Sequence, residues 1–322
     1  MTQVADPDRS LFADTMTEPM RRVQSGSLAF QRALDQIGRG EGWSGWIPLE
    51  VASRAPAPCA ALLYEIRVRA GKDLVYVGQC GARSKGHGLR GRMGDLGGVH
   101  RSADMPYNDP HTAAPCLRAL HQHGHTFDVR FAPTPDLNEQ ERKALETVRL
   151  FRYRHDHGYS PIANFGGMPA GCTKSGPRSK GVRGVFRRSD PVDVRLAPRP
   201  WPAPDAVLAA EHWTAWGPLD DGVALAQGVY RIAGPHGTVY VGQAANVTAR
   251  IREHAQAARN PARTGKYALL STFAPLRASA MPVPGGIRDL LETEDHVLGA
   301  VILTERRVPD VQYLDAGRSR TT

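Results

Sequence analysis

Cysteine is scarce in this chain of 322 residues. The four cysteines, Cys59, Cys80, Cys116 and Cys172, lie far apart and form no C-x-x-C pair. Their spacing argues against a zinc ribbon and against a dense disulfide framework. Long apolar runs are lacking as well, and the N-terminal MTQVADPDRS is polar and acidic, unlike a signal peptide. We therefore expect a cytoplasmic protein with reduced thiols and no membrane-spanning segment.

Acidic residues are few relative to basic ones. Lys and Arg number 41 against 32 Asp and Glu, which gives a net charge of +9 and a pI near 9.6. This balance favours a polyanionic partner, with nucleic acid ahead of an anionic membrane, and a merely solubilising basic surface is the alternative. The apolar content of 41% is enough for ordinary cores, and the length suits two domains better than one.

The chain repeats itself. The pentapeptide VYVGQ occurs at Val75–Gln79 and again at Val239–Gln243. Each copy is preceded by a tryptophan pair, WSGW or WTAW, and followed later by the tripeptide LET. Beyond each LET comes a proline with an amide side chain three residues later, Asn164 or Gln312. Matches in one order predict a duplicated unit of about 100–120 residues, which is the size of a domain.

These matches divide the chain into four parts. We predict an N-terminal helical extension over 1–42, a first unit over 43–168, a basic segment with a Pro-rich linker over 169–205, and a second unit over 206–322. The extension contains SLAFQRALDQIGRG, where a serine cap, apolar Phe30, Leu34 and Ile37, and a glycine stop predict a helix packed on the first unit.

Each unit is predicted to contain two strands, a helix, a strand and a longer helix. LLYEIRV and LVYVGQ are β-rich runs separated by a Gly-containing turn, and TFDVRFA alternates as a half-buried strand does. Asn138–Tyr153 and Ile287–Leu303 are predicted as the long helices. The expected fold class is α/β, an α+β sandwich with a small mixed three-stranded sheet flanked by helices in each unit.

The order of the tyrosine motifs resembles the GIY-YIG nuclease family. LLYEI or GVYRI precedes VYVGQ in the two units, and a basic stretch follows, LRGRM in the first and VTARIREH in the second. The first tripeptide of the first unit is LLY rather than GIY, which departs from the family pattern but keeps the tyrosine. The resemblance implies two GIY-YIG-like modules and a metal-dependent endonuclease.

The resemblance also implies the site residues. In the family the first tyrosine lies next to the attacking water, the helix arginine contacts the phosphate and a later glutamate binds the metal. A tyrosine has a pKa of about 10, so the arginine and a metal ion would have to lower it. One glutamate with water and phosphate oxygens suits Mg²⁺ or Mn²⁺. The matching residues are Tyr64, Tyr76, Arg92, Glu146 and Asn164 in the first unit, and Tyr230, Tyr240, Arg250, His254 and Glu292 in the second.

The histidine position differs between the units. His254 lies one helical turn after Arg250, so both side chains share one face of the helix. The first unit has Leu96 at that position, and there His100 or His111 would have to substitute from a loop.

The metal ligand of the second unit is ambiguous. The LET match selects Glu292, whereas the distance to the amide residue Gln312 selects Glu294. Both glutamates therefore remain candidates for the metal, together with Glu146 of the first unit.

Between the units, the segment Cys172–Ser189 carries six cations and no acid. Phosphate contacts would neutralise these charges and make binding salt-dependent, whereas a solvated linker is the alternative. With Phe186 as the only aromatic residue, the segment suits contact with a duplex backbone better than stacking on single strands. The predicted nucleic-acid-binding residues are Lys174, Arg178, Lys180, Arg183, Arg187 and Arg188.

The sequence thus favours a metal-dependent DNA endonuclease, of the restriction or defence type, acting on double-stranded DNA as a monomer or homodimer. Either both units cut, or one unit cuts and the other positions DNA. Two alternatives from other classes remain: an enzyme that acts on a small molecule through the tyrosine–arginine pocket, and a nonenzymatic DNA-binding protein.

Overall fold

The computed structural model describes residues 27–54, 61–69, 71–81, 89–100, 111–174, 182–184, 193–260 and 266–314. In these ranges the helices are α1 (Leu28–Arg39), α2 (Leu89–Gly97), α3 (Ala114–Gln122), α4 (Glu139–His157), α5 (Pro204–Leu208), α6 (Val247–Arg259) and α7 (Ile287–Glu305). The strands are β1 (Ile47–Pro48), β2 (Leu62–Val68), β3 (Leu74–Cys80), β4 (Phe127–Pro133), β5 (Cys172–Lys174), β6 (Val182–Gly184), β7 (Gly217–Pro218), β8 (Gly228–Gly234), β9 (Gly237–Ala244) and β10 (Arg277–Pro282).

The strands form two four-stranded sheets of the same design. The first has the order β1-β4-β2-β3 and the second β7-β10-β8-β9, with β5 and β6 as a separate pair. In both sheets the register of the central hairpin shifts after the corresponding isoleucine, Ile66 or Ile232. The repeat in the sequence is therefore also a repeat in strand order and register. The fold is α+β.

The prediction of a mixed three-stranded sheet is wrong. Every strand pair in both sheets is antiparallel. The fourth strand in each sheet has only two residues, and it begins just after the tryptophan pair. Its neighbours Ser44 and Thr214 each bond the backbone of the adjoining strand, through Ser44 N–H to Phe131 O and Thr214 N–H to Ala280 O, both at 2.8 Å. A two-residue strand is too short to produce an alternating pattern in the sequence.

The long helices begin and end at recognisable residues. Asn138 caps α4 by accepting the Glu141 backbone N–H, and the Glu141 side chain accepts the Asn138 N–H in return. Gly158, in the left-handed region, ends α4, and Arg306 ends α7 in the same conformation. These ends lie two to four residues beyond the predicted bounds.

The core between the units is built on α4 and α7. One face of each sheet packs on its own long helix, and the two helices pack on each other within a single apolar cluster. Phe151 of α4 lies against Gly299 of α7, where an added Cβ would come within 2.7 Å of the Phe151 Cβ. The two units therefore share one core.

The opposite face of each sheet has a core of its own. In the first unit it contains Leu62, Tyr64 and Ile66, packed against α2 and α3. In the second it contains Tyr230 and Ile232, packed against α6. The two tyrosines of each unit belong to these outer cores, on the side of the sheet away from the shared helices.

The helix predicted in the N-terminal extension is confirmed. Ser27 caps α1 by accepting the Phe30 N–H at 3.1 Å, and Gly40 ends it in the left-handed region. Phe30, Leu34 and Ile37 are buried. They enter the core shared by both units rather than that of the first unit alone.

The Pro-rich segment also lies on the shared helices. Trp201 packs against His296 of α7 with tilted rings whose centroids are 4.6 Å apart, and Arg199 pairs with Asp289 at 3.0 Å. Cys80, Cys116 and Cys172 are buried thiols that form no disulfide among the described residues, and Cys59 lies outside those residues. Within the described ranges, none of the helices combines the length and apolar character that crossing a bilayer would require.

Candidate active site

The two tyrosines of the first unit lie side by side on β2 and β3. Their ring centroids are 5.9 Å apart. Gly78 makes this approach possible, because a Cβ there would lie 2.6 Å from the Tyr76 ring and 2.7 Å from the Tyr64 hydroxyl. Tyr64 is fully buried, whereas Tyr76 lines an open cavity. The second tyrosine, rather than the first, therefore faces the space where a substrate can bind.

That cavity brings together residues from four separate segments. It has a volume of about 350 Å³. Arg92 reaches it from α2, Glu146 from α4, and His111 and Thr112 from the stretch before α3. The residues predicted in the first unit thus meet in one place, apart from the buried Tyr64 behind Tyr76 and the amide Asn164.

His111 takes the histidine position of the first unit. Its Nδ1 accepts the backbone N–H of Ala113 at 3.2 Å, so the proton of the neutral ring lies on Nε2. The same Nε2 is 3.3 Å from the Tyr64 hydroxyl and donates to it. The other candidate, His100, packs against His121 with tilted rings whose centroids are 4.5 Å apart, and it is not among the cavity residues. Of the two alternatives from the sequence, the structure therefore selects His111.

Hydrogen bonds converge on the Tyr76 oxygen. Burial and the Glu146 charge raise the Tyr76 pKa above its usual value, whereas Arg92 and hydrogen bonds from Tyr64 and Thr112 lower it. Burial likewise raises the Tyr64 pKa well above its usual value. Both phenols are therefore protonated at neutral pH. His111, Tyr64 and Thr112 nevertheless favour any negative charge that develops on Tyr76.

Glu146 stands at the junction of two cavities. It lines the cavity of Arg92 and an adjoining cavity of about 270 Å³ that also contains Lys143, Asp295 and Tyr313. Burial and the charge of Asp295 raise the Glu146 pKa to about 8, against the opposing effects of Arg92 and Lys143. A half-buried carboxylate with a second carboxylate nearby is a place where an added cation is favourable.

The donor set limits what kind of metal ion would fit. No group of three or more His, Cys, Asp or Glu side chains able to hold a metal ion occurs among the described residues. A cation on Glu146 would therefore take most of its ligands from water or substrate oxygens. That arrangement suits Mg²⁺ or Mn²⁺ and does not suit a structural zinc ion.

Asn164 and Gln312 hold corresponding strands in place. The Asn164 Oδ1 accepts the Val77 N–H at 3.0 Å and its Nδ2 donates to the Val77 carbonyl at 2.9 Å. The Gln312 Oε1 accepts the Val241 N–H at 3.1 Å. Asn164 thus uses both atoms of its amide to fix the strand that carries Tyr76, which makes it a positioning residue.

The site of the second unit contains the predicted residues with one addition. The Tyr230 hydroxyl lies 2.8 Å from His254 Nε2. Tyr267, from the 3₁₀ segment Lys266–Phe273, accepts a hydrogen bond from Arg250 Nη2 at 2.9 Å and lies 3.4 Å from the Tyr240 hydroxyl. Its ring meets His254 edge-on, with centroids 4.6 Å apart. Tyr267 therefore lies among Arg250, Tyr240 and His254, the residues that the sequence predicts for the site of the second unit.

The two candidate glutamates of the second unit have different surroundings. Counted back from the amide residue, Glu294 stands in α7 where Glu146 stands in α4. Burial raises the pKa values of Tyr230 and Tyr240, and the charge of Glu294 adds to the rise in both. Glu292 instead receives Arg288 at 3.0 Å and Arg199 at 3.2 Å. The structure does not bring Glu292 to the tyrosines, because two residues along a helix turn a side chain to another face.

Only part of the basic segment lies within the described residues. Lys174 and Arg183 belong to β5 and β6, which pair with each other. The remaining predicted nucleic-acid-binding residues, Arg178, Lys180, Arg187 and Arg188, lie outside the described ranges.

Sequence reasoning missed Thr112, Tyr267, Asp295 and Tyr313. The sequence does contain an indication of Tyr313, because an aromatic residue directly follows the amide residue in both units: Phe165 in the first and Tyr313 in the second. Both adopt a positive φ, 54° and 60°. Thr112 and Tyr267 lie in the connections that follow α2 and α6, where the two units share no sequence match, so the repeat gave no indication of them.

Comparison of the chain with protein-family models, with curated proteins and with solved structures finds no match. The function has therefore to be inferred from the residues and the geometry of this chain.

Proposed function

We propose that the protein is a metal-dependent endonuclease that hydrolyses phosphodiester bonds in double-stranded DNA, with the active site in the first unit. The observation that carries this proposal is the cavity lined by Tyr76, Arg92, His111 and Glu146. A cation, a carboxylate and a hydrogen-bonded phenol facing one space are what attack on a phosphodiester requires.

Arg92 is the residue that holds the scissile phosphate. Its guanidinium is always charged and presents a fork of N–H donors to two phosphate oxygens. Tyr76 lies on the same cavity wall and orients the attacking water, and negative charge on its oxygen is favoured by Tyr64, Thr112 and Arg92. Tyr64 acts through Tyr76, since it is fully buried.

Glu146 is the residue that would hold Mg²⁺ or Mn²⁺. When bound there, the cation supplies positive charge for the phosphate and lowers the pKa of a bound water. Glu146 itself raises the Tyr76 pKa, so neutralising the carboxylate also favours charge on the phenol.

The second unit serves binding rather than cutting. Its Arg250 donates to Tyr267 at 2.9 Å and pairs with Glu253, so the guanidinium is already engaged. The net charge of +9 and the basic segment support a role in holding the duplex backbone. This is the arrangement in which one unit cuts and the other positions DNA.

The test is the conversion of supercoiled plasmid to nicked circles with Mg²⁺, with Mn²⁺ and with chelator. Wild type should nick only with metal. Glu146→Ala and Arg92→Ala should each lower the rate by about 100-fold or more. Their matched counterparts Glu294→Ala and Arg250→Ala should keep the wild-type rate, because Arg250 is already engaged by Tyr267 and the proposed active site lies in the first unit.

Each other outcome selects a different function. Equal loss of activity in both sets of variants would mean that both units cut. Salt-dependent binding of duplex DNA without nicking under any metal would favour a nonenzymatic DNA-binding protein. If the protein neither binds nor cuts DNA, the cavity serves a small-molecule substrate instead.

A further inference from the structure

We propose that the second unit completes the active site of the first by contributing two positioning residues, Asp295 and Tyr313, which act on Glu146. This inference rests on the proposed function. The cavity beside Glu146 is lined by residues of both units, so neither unit encloses it alone.

The contact runs through the residue next to Glu146. The Thr147 hydroxyl lies 2.7 Å from Asp295 Oδ1 and 2.6 Å from the Tyr313 hydroxyl. Asp295 can only accept while it is ionised, so Thr147 donates to it and accepts from Tyr313. The two residues therefore fix the turn of α4 that presents Glu146 to the cavity.

Asp295 is itself held from the far side. Arg154, which is fully buried, donates to Asp295 Oδ2 at 2.5 Å. This ion pair fixes a carboxylate in the wall of the cavity that Glu146 also lines. A cation bound at Glu146 is attracted by both carboxylates.

The second unit contributes side chains to the site of the first unit, but the first unit does not contribute equivalent side chains to the second. In register between the units, Asp295 corresponds to Thr147, and Tyr313 corresponds to Phe165. The first unit therefore has neither a carboxylate nor a phenol hydroxyl at these positions to offer to Glu294. The duplication has kept the fold of the second unit while its side chains serve the first.

The experiment measures binding of Mn²⁺ alone to the full chain by electron paramagnetic resonance, without DNA. Asp295→Asn keeps the shape and the hydrogen-bond acceptor but removes the charge, and it should raise the Mn²⁺ dissociation constant about fivefold. Tyr313→Phe removes only the hydroxyl and should raise it about threefold. Asp289→Asn is the matched control, because Asp289 lies on the same helix and pairs with Arg199 away from the cavity, and it should bind as wild type does.

A second readout separates positioning from general damage. The Mn²⁺ concentration for half-maximal plasmid nicking should rise in step with the dissociation constant, while the rate at saturating Mn²⁺ stays near wild type. A lower rate at saturation with unchanged Mn²⁺ affinity would overturn the inference. Should Asp295→Asn fail to fold, because Arg154 loses its charged partner, Tyr313→Phe decides alone.

Glu146→Gln distinguishes failure of the inference from failure of the proposed function. If Glu146→Gln binds Mn²⁺ as well as wild type does, Glu146 is not the metal ligand and both proposals fall. If Glu146→Gln loses binding while Asp295→Asn and Tyr313→Phe keep the wild-type dissociation constant, only the inference about the second unit is overturned.

Discussion

At the scale of single residues, the two tyrosines of the first unit have different surroundings. Tyr76 borders the cavity and receives hydrogen bonds, whereas Tyr64 lies behind it and is bonded to His111 at 3.3 Å. The family resemblance assigns the place next to the attacking water to the first tyrosine. In this chain the second tyrosine borders the cavity, so the proposed function gives that place to Tyr76.

The two assignments predict different mutant rates. Tyr76→Phe should lower single-turnover nicking about 100-fold, since the hydroxyl that orients water is lost. Tyr64→Phe should lower it only about tenfold, since one of several hydrogen bonds to Tyr76 is lost. Both changes keep the ring, so circular dichroism should be unchanged. The reverse order of rates would show that the first tyrosine is the one beside the reacting water.

At the scale of elements, the contact between α4 and α7 decides how the units sit together. Phe151 and Gly299 hold equivalent positions in the two helices. The Phe151 side chain occupies the space that is open because Gly299 has no side chain. Two large residues there would hold the helices apart. The close approach of α4 and α7 also brings the Thr147 hydroxyl to within 2.7 Å of Asp295 Oδ1.

Gly299→Ala should therefore lower the free energy of unfolding by about 1–3 kcal/mol, although alanine is the better helix former. Gly94→Ala in α2 is the matched control, because nothing lies within 4 Å of its added Cβ, and it should be neutral or stabilising. Urea unfolding measures both.

The exchange variant Phe151→Gly/Gly299→Phe tests whether the contact is reciprocal. It should regain much of the stability that Gly299→Phe alone loses, because the large side chain is then again opposite a glycine. An exchange variant no more stable than Gly299→Phe would contradict the equivalence of the two positions.

At the scale of the whole molecule, the shared core predicts one cooperative unfolding transition with an acid-sensitive midpoint. His296 of α7 stacks on Phe151 with ring centroids 4.2 Å apart, and its Nε2 donates to the Pro202 carbonyl at 2.9 Å. Burial, assisted by the charge of Arg154, lowers the His296 pKa to about 3. An unfolded histidine has a pKa of about 6.5.

The sign depends on which state binds the proton. Below about pH 6.5 the unfolded chain binds a proton at this histidine, whereas folded His296 stays neutral. The contribution of His296 to the free energy of unfolding is therefore complete above that pH, and it falls toward pH 3 by about 1.4 kcal/mol per pH unit. His296→Phe should flatten the dependence by about this slope in calorimetry from pH 4 to 7. The exposed His212→Phe should not. Two separate transitions, one for each unit, would contradict the shared core.

The sequence by itself determined the parts whose cause is local. The caps of α1 and α4, the two hairpins and the paired amide residues result from short-range spacing, and the repeat revealed their equivalence before any contact was known. The resemblance also selected Tyr64, Tyr76, Arg92 and Glu146, whose surroundings converge in the first unit.

Tertiary structure alone decided which tyrosine faces the cavity, that His111 approaches Tyr64, and that Tyr267 contacts Arg250 in the second unit. It also decided that Asp295 and Tyr313 of the second unit reach Thr147 of the first, next to Glu146. The physical reason is that periodicity records which face of a helix or strand is buried, but not which distant segment covers it. A hydrogen bond such as Thr147 to Asp295 joins residues far apart in the chain, and it exists only because α4 and α7 pack closely enough to bring them together.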